Sequence, residues 1–422
     1  MQAGGRRGPR LSADARRILA VQALRAFAYG FGSVVLGISL ERRGLSTVAV
    51  GLVLAALLAG AALASFAVAR FGDAVGRGRT YGALLALMGL AGAVFALTDS
   101  MPALVVAALT GTISTEIVES GPFTSLEQSM LPSAAGERDP TQLFGTYNVV
   151  ATLAGSLGAL SAAVPALVDG TEQRWLLVYP AAAALALVVA RGISPAVAPR
   201  LGFGREAARP ALDRSRPIVL RLSALFALDS FAGGFVVQAF VAYWFAREFG
   251  TSGQTLGVVF FAIGLLQAIS FQAAVRLARR IGLLRTMVFT HLPSNLLLAS
   301  IALAPTEAVA IVVLLARSLL SQMDVPTRQA YVVAVVDPTE RTAAAAYTNG
   351  ARYLTRPIAP LLLGPLLAAG AGVPFVVAGA SRACTTWACT PSSATSVSGS
   401  TNPIENRLSR RLPDRIRLGC TT

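Results

Sequence analysis

Long apolar runs separated by short polar breaks dominate the chain. They fall near residues 17–40, 46–70, 80–98, 102–120, 142–167 and 175–191. After a polar stretch at 192–216 they resume near 217–246, 253–276, 286–304, 307–323 and 343–369, with a short run at 371–380. Most approach the roughly 20 residues that a helix needs to cross a bilayer core. The pattern predicts an all-α, polytopic membrane protein made of two six-helix bundles, with an incomplete twelfth helix. Its parts are a basic N-terminus (1–16), a first bundle (17–191), an Arg-rich linker (192–216), and a second bundle (217–382) holding helices 7–11 and a partial twelfth. The run from Ile18 to Leu40 lacks a small-residue cleavage site and is too long for the core of a signal peptide, so it reads as a retained first helix.

The two halves look like copies. Phe27-Ala28-Tyr29-Gly30-Phe31 matches Phe231-Ala232-Gly233-Gly234-Phe235 at an offset of 204. Gly51 and Gly257, Gly76 and Gly282, and Arg79 and Arg285 match at an offset of 206, and Glu137-Arg138 matches Glu340-Arg341 at 203. Chance matches are common in apolar sequence, but a near-constant offset over several loops is not. A parallel repeat of six helices is one of the plans used by membrane transporters.

Charge then sets orientation. The chain has 422 residues, 54% hydrophobic and 14% charged, and a formal charge of +15 carried on Arg alone, since there is no Lys. The mean hydropathy is +0.62. Arg6, Arg7, Arg10, Arg16 and Arg17 precede the first run, and Arg200, Arg205, Arg209, Arg214 and Arg216 crowd the central linker. The alternate loops hold only Arg42, Arg43, Arg174 and Arg247. By the positive-inside rule the N-terminus and linker face the cytoplasm, so the expected place is the cytoplasmic (inner) membrane. A nucleic-acid partner is excluded, because the Arg residues lie between spans rather than on a solvated face with aromatics. A chain without Lys cannot form a Walker phosphate loop. Its one histidine, His291, and three late cysteines, Cys384, Cys389 and Cys420, leave no triad or metal cluster in the apolar body. The expectation is therefore a non-enzyme without cofactor, with the lipid bilayer and a small solute as partners and a monomeric state.

Asp73-Ala-Val-Gly76-Arg77-Gly-Arg79 follows the second run. A carboxylate at a helix end, a glycine turn and two guanidiniums form a charge cluster able to bias two packings of neighbouring helices. The segment resembles the loop signature of the major facilitator superfamily, G-x-x-x-D-x-x-G-R-(K/R), with Ala69 where the leading glycine belongs. Arg279-Arg280-Ile-Gly282-Leu-Leu-Arg285 is an eroded second copy with arginine in place of the acid. Glu119-Ser-Gly121-Pro122-Phe123-Thr-Ser-Leu-Glu127-Gln128 and Met323-Asp324-Val-Pro326-Thr-Arg328-Gln329-Ala-Tyr331 are similar to a bacterial branch of efflux and sugar-type permeases. The resemblance implies secondary transport of a small solute by alternating access, with proton-coupled efflux as the leading form and Asp73, Gly76, Arg77 and Arg79 as a gate. The proton-coupling pattern R-x-x-x-Q-G is absent from the fourth run, where Glu116 and Glu119 stand, and the glycine–proline signature of antiporters is absent from the fifth. An uncoupled facilitator or uptake permease, or a transport-inactive product, therefore remains open.

Charges inside the spans are the candidate proton and substrate pathway, since each costs about 2.5–3.5 kcal/mol at a helix centre on the insertion scale. Arg25 and Asp229 occupy repeat-equivalent places and opposite signs, which suggests a pair across the pseudo-axis; snorkelling to the headgroups is the alternative. Glu116 and Glu119, one turn apart, are expected to share a face of the fourth helix. Together with Arg317 on the tenth helix, or Arg352 and Arg356 on the eleventh, they would form an inter-bundle latch. Asp324 and Arg328 suggest a structural pair, and His291 a packed histidine. The segment 383–422 differs from the rest, with 13 Ser or Thr, all three Cys and five Arg. That coincidence of lost hydropathy and new composition reads as a shift of reading frame near Ser381, with a genuine eleven-span chain and polar tail as the alternative.

Overall fold

The computed structural model describes residues 11–114, 116, 121–134, 140–167, 172–195, 197, 212, 214–324, 328, 331–332, 335–337 and 340–388. Within them the chain is helical and holds no strand. Among the described residues, eight helices are long and apolar enough to cross a membrane, and a ninth span results if Leu363–Ala369 and Val373–Thr386, bent by 111°, count as one. Large apolar side chains such as Leu63, Leu90, Val106, Val188 and Leu296 are exposed, as lipid-facing positions require.

The first of two compact units comprises Met1–Gly44, Ala56–Arg205 and Ser252–Phe261. Its helices are α1 (Ala13–Arg42), most of α2 (Thr47–Val75), α3 (Arg77–Leu97), α4 (Met101–Leu109), α5 (Pro122–Ala134), α6 (Pro140–Ser161) and α7 (Val178–Ala190). Ser12 caps α1 by accepting the Ala15 amide at 3.0 Å, while Asp14 and Arg42 sit at the ends that the helix dipole favours. The middle of α1 is buried on all sides because small residues let its neighbours approach. A Cβ on Gly30 or Gly158 would strike the carbonyl of Gly155 or Phe27, so α1 and α6 meet backbone to backbone.

The second unit comprises Leu45–Ala55, Glu206–Thr251 and Ala262–Thr422. It contains α8 (Arg216–Gly234), α9 (Gln238–Phe249), most of α10 (Gly253–Ile281), α11 (Leu283–Ser300), α12 (Glu307–Ser321), α13 (Arg341–Thr355), α14 (Ile358–Leu361), α15 (Leu363–Ala369) and α16 (Val373–Ala388). Glu340 caps α8, its two carboxylate oxygens each accepting at 2.9 Å from the amides of Arg214 and Ser215. Gly234 places α8 against the Arg356 carbonyl at the end of α13, repeating the part of Gly30 in α1. Ser230 and Thr355 stitch the same pair, donating to the carbonyls of Arg352 at 3.0 Å and Ala227 at 2.8 Å.

The sequence repeat has a structural cause. Gly44 and Gly250 end corresponding helices at φ 61° and 67°, and Gly76 and Gly282 turn the chain at φ 99° and 89°. Gly51 meets the Pro360 carbonyl, and Gly257 meets that of Ala159. Each matched glycine therefore answers a backbone or packing demand made twice. Gly76→Val is expected to cost about 1–3 kcal/mol, since a branched residue does not adopt this φ without strain. Gly145→Ala, where an added Cβ meets nothing, is expected to be neutral or stabilising by up to about 1 kcal/mol. Thermal unfolding in detergent checks both, and equal Tm values for the two variants would remove the strain argument.

Two expectations need correction. The fourth run is not one continuous helix: α4 stops at Leu109, Gly111 takes φ 68°, and α5 starts only at Pro122. Thr110 and Thr112 end the run by hydrogen-bonding each other at 2.9 Å and by Thr110 donating to the Ala107 carbonyl at 2.7 Å. The last helix is described through Ala388, past the point where apolarity fails.

Candidate functional site

In the first unit the buried Arg25 of α1 reaches across to Glu127 of α5, with Nη2 2.6 Å from Oε2. Glu127 is 0% exposed, and the hydroxyls of Tyr81 and Tyr147 both donate to it at 2.5 Å. Arg25 also donates to Gln22 and lies over the Phe123 ring at 4.4 Å. One cation faces one carboxylate, and donors on α3 and α6 fill the remaining acceptor positions, which is how a buried ion pair avoids an uncompensated charge.

The second unit puts its carboxylate on the repeat-equivalent helix. Asp229 of α8 is buried, and three cationic or ionisable groups converge on it: Arg382 Nε at 3.2 Å, His291 Nε2 at 3.6 Å and Arg328 Nη1 at 3.7 Å. The same Nη1 of Arg328 lies 3.2 Å from Asp324, so the two carboxylates share it. Arg382 comes from α16, as does Thr386, whose Oγ1 lies 2.7 Å from His291 Nδ1. Arg352 of α13 adds its charge to those acting on Asp229. Arg317 of α12 is half-buried, and the charges acting on it are Arg382, Asp324 and Asp229. The two halves thus carry inverted versions of one arrangement. The first has its cation on α1 and its acid on α5; the second has its acid on α8 and its cation at residue 328, between α12 and α13.

The expected site residues sort accordingly. Arg25 and Asp229 are each paired inside their own unit. Each has its countercharge on another helix of the same unit, Glu127 on α5 and Arg382 on α16, and neither countercharge has a mark in the hydropathy pattern. Glu116 lies outside any helix, in a turn where Ser114 Oγ accepts from its amide at 3.0 Å, so no helix face is shared at that position. Glu119 lies outside the described residues. Arg317 and Arg352 join the Asp229 cluster, and Arg356 sits where α13 gives way to α14. In the loop after α2, Gly76 makes the turn, Arg77 donates to the Ser129 carbonyl of α5 at 3.2 Å, and Arg79 is exposed. The Asp73 side chain is not among those described. His291 is buried, as expected of a packed histidine, and it also faces Asp229. Glu127 and Arg382 are functional candidates that sequence reasoning missed. Glu127 stood inside one of the family-like motifs, and that was the available signal; Arg382 stood at the edge of the compositional break and had none.

The family description Major Facilitator Superfamily matches residues 18–360. An uncharacterized membrane protein of Saccharomyces cerevisiae is 24% identical over 396 residues, 84% of this chain and 88% of that protein. The solved nucleoside transporter NupG superposes with a TM-score of 0.69 at 12% identity, covering 89% of this chain and 98% of that one. A D-xylose–proton symporter gives 0.70 at 13% identity, over 89% and 97%. At such identities the structural likeness is one of fold. With most of its length matched, two units of repeated helices and a multi-pass apolar body, the chain belongs to the Major Facilitator Superfamily.

Proposed function

We propose that the protein is a secondary active transporter that exports a small solute across the cytoplasmic membrane in exchange for protons. Its family consists of transporters. The observation that carries the finer reading is Asp229, a carboxylate closed off from water among Arg382, Arg328 and His291. Protonation there cancels the charge that holds two guanidiniums, and deprotonation restores it. A group that switches its partners in this way biases a two-state equilibrium, which is what coupling requires. The Gly76 turn with Asp73, Arg77 and Arg79 acts as the gate, and Arg352 and Arg356 act in the latch that opens with it. The same fold in a D-xylose–proton symporter supports proton coupling and leaves the cargo open.

The test is reconstitution of the purified chain in liposomes with a pH-sensitive dye inside. Sugars, nucleosides, carboxylates and amines are offered in turn. A transported solute is expected to shift the internal pH. Counterflow of a solute with no pH change at any gradient would make the protein a facilitator instead.

A further inference from the structure

We infer that His291 is the relay through which a proton reaches Asp229; this rests on the coupling reading above and adds a second residue to it. Asp229 is buried, and its Oδ1 is withdrawn from solvent with no hydrogen bond among the described residues. That oxygen cannot take a proton from water directly. His291 is aimed at it, with Nε2 3.6 Å away. Arg382 Nε lies 3.2 Å from the same oxygen, but a guanidinium does not give up its proton in a protein. Of these two neighbours, only the imidazole is able to pass a proton on. The charged groups facing His291 are Asp229 on α8, Arg382 on α16, and Asp324 and Arg328 between α12 and α13.

The far nitrogen is placed to complete the relay. His291 Nδ1 lies 2.7 Å from Thr386 Oγ1 and 3.3 Å from Asn295 Nδ2, and both partners are buried. Each of them can play either part. The Thr386 hydroxyl donates to Nδ1, or it turns to the Arg382 carbonyl, 2.8 Å away, and accepts. The Asn295 amide presents its NH2, while its Oδ1 has no hydrogen-bond partner among the described residues, so a flip of the amide exchanges donor for acceptor. With Nδ1 bare, both partners donate to it, and the ring proton sits on Nε2 facing Asp229. When a proton from water arrives at Nδ1, both partners turn to accept from it. The contact of Nε2 with Oδ1 then closes to hydrogen-bond length, as proton-transfer contacts do on reaching the productive state. One N–H bond forms at Nδ1, one breaks at Nε2, and one O–H bond forms on Asp229, so a single proton has entered and the imidazole is again neutral. The reverse sequence discharges the carboxyl. A histidine that only packs needs neither a carboxylate at one nitrogen nor two reversible partners at the other.

His291 is the only histidine of the chain, so isotopic labelling of histidine nitrogens gives the magnetic resonance spectrum of this ring alone. The full chain, purified on a tag without histidine and placed in lipid nanodiscs, is titrated with no solute present. At alkaline pH the ring is expected to carry its proton on Nε2. On acidification a proton should appear on Nδ1, and Asp229→Asn should displace that transition. A ring that does not change over the titration, or a transition that Asp229→Asn leaves in place, overturns the inference. The rate is read by infrared spectroscopy after photolysis of a caged proton, following the carboxylic-acid band that Asp229→Asn removes. His291→Gln keeps a donor toward Asp229 but cannot pass a proton on. It should delay the band by about a hundredfold, the low end of what a positioned proton-transfer group contributes. An unchanged rate also overturns the inference. If His291→Gln does not fold, Thr386→Val takes its place: loss of the hydroxyl should slow the band and Thr386→Ser should restore it. The proton-coupling proposal fails separately, since it is read from vesicle pH in the presence of a solute.

Discussion

Asp229→Asn is expected to insert and fold, to keep solute counterflow, and to lose pH-driven flux. Asparagine has nearly the volume of aspartate and keeps one acceptor oxygen, so the packing around α8 survives. What disappears is the negative charge shared by Arg382, His291 and Arg328. Arg328 retains Asp324 at 3.2 Å, and Arg382 retains the Asp229 backbone carbonyl at 3.5 Å, so neither guanidinium loses every acceptor. The stability loss should therefore stay near the low end of the 3–5 kcal/mol that follows deletion of one partner from a buried pair, about 3 kcal/mol. The functional loss should be larger in kind. A neutral side chain cannot alternate between charged and uncharged states, so solute-induced change of vesicle pH should fall by at least about tenfold, the effect of about 1.4 kcal/mol of lost coupling. Asp229→Glu should restore much of it. Normal pH-driven flux in an Asp229→Asn protein that is fully inserted would remove this residue from the coupling step.

How far the molecule could be foreseen depends on the kind of interaction involved. Apolar runs gave the helices because lipid exposure imposes hydropathy on every turn of a span. The repeat was visible because its glycines meet steric demands twice: Gly51 and Gly257 against carbonyls, Gly76 and Gly282 at positive φ. Those demands admit few other residues, so they leave an imprint on the sequence. Countercharges leave none of that kind. Glu127 sits in a stretch with Pro122, Ser125, Gln128 and Pro132, which reads as a polar connection, and only the folding of α5 against α1 turns it into the partner of Arg25. The last helix shows the same limit. Arg382 and Thr386 look like the beginning of an alien tail, yet α16 aims them at Asp229 and His291. Part of the lost hydropathy beyond Ser381 is thus the polar face of a helix turned inward. Local composition cannot distinguish that face from a solvated segment.

Arg25→Met is expected to be among the most damaging single changes in the first unit. Glu127 would stay fully buried with two tyrosine hydroxyls as its described donors and no cation, while the methionine fills most of the arginine's stem volume. The cost should be about 3–5 kcal/mol, the range for leaving one charge of a buried pair uncompensated. Glu127→Leu should also destabilise, because Arg25 would then be held only by Gln22 and the faces of Phe123 and Tyr29. The double variant removes both charges and leaves two tyrosine hydroxyls to satisfy. Those hydroxyls lie on α3 and α6, and each would lose an acceptor at a cost of about 1–3 kcal/mol. The double variant should therefore be less damaged than the sum of the single variants, with a coupling energy up to about 3 kcal/mol in the cycle. Thermal unfolding of the four proteins in one detergent measures it. Strict additivity would mean that the pair contributes as two independent side chains. A positive coupling would show that α1 and α5 are held in register by charge, which is the property a helix pair needs if it is to move as one body while the Asp229 cluster changes its partners.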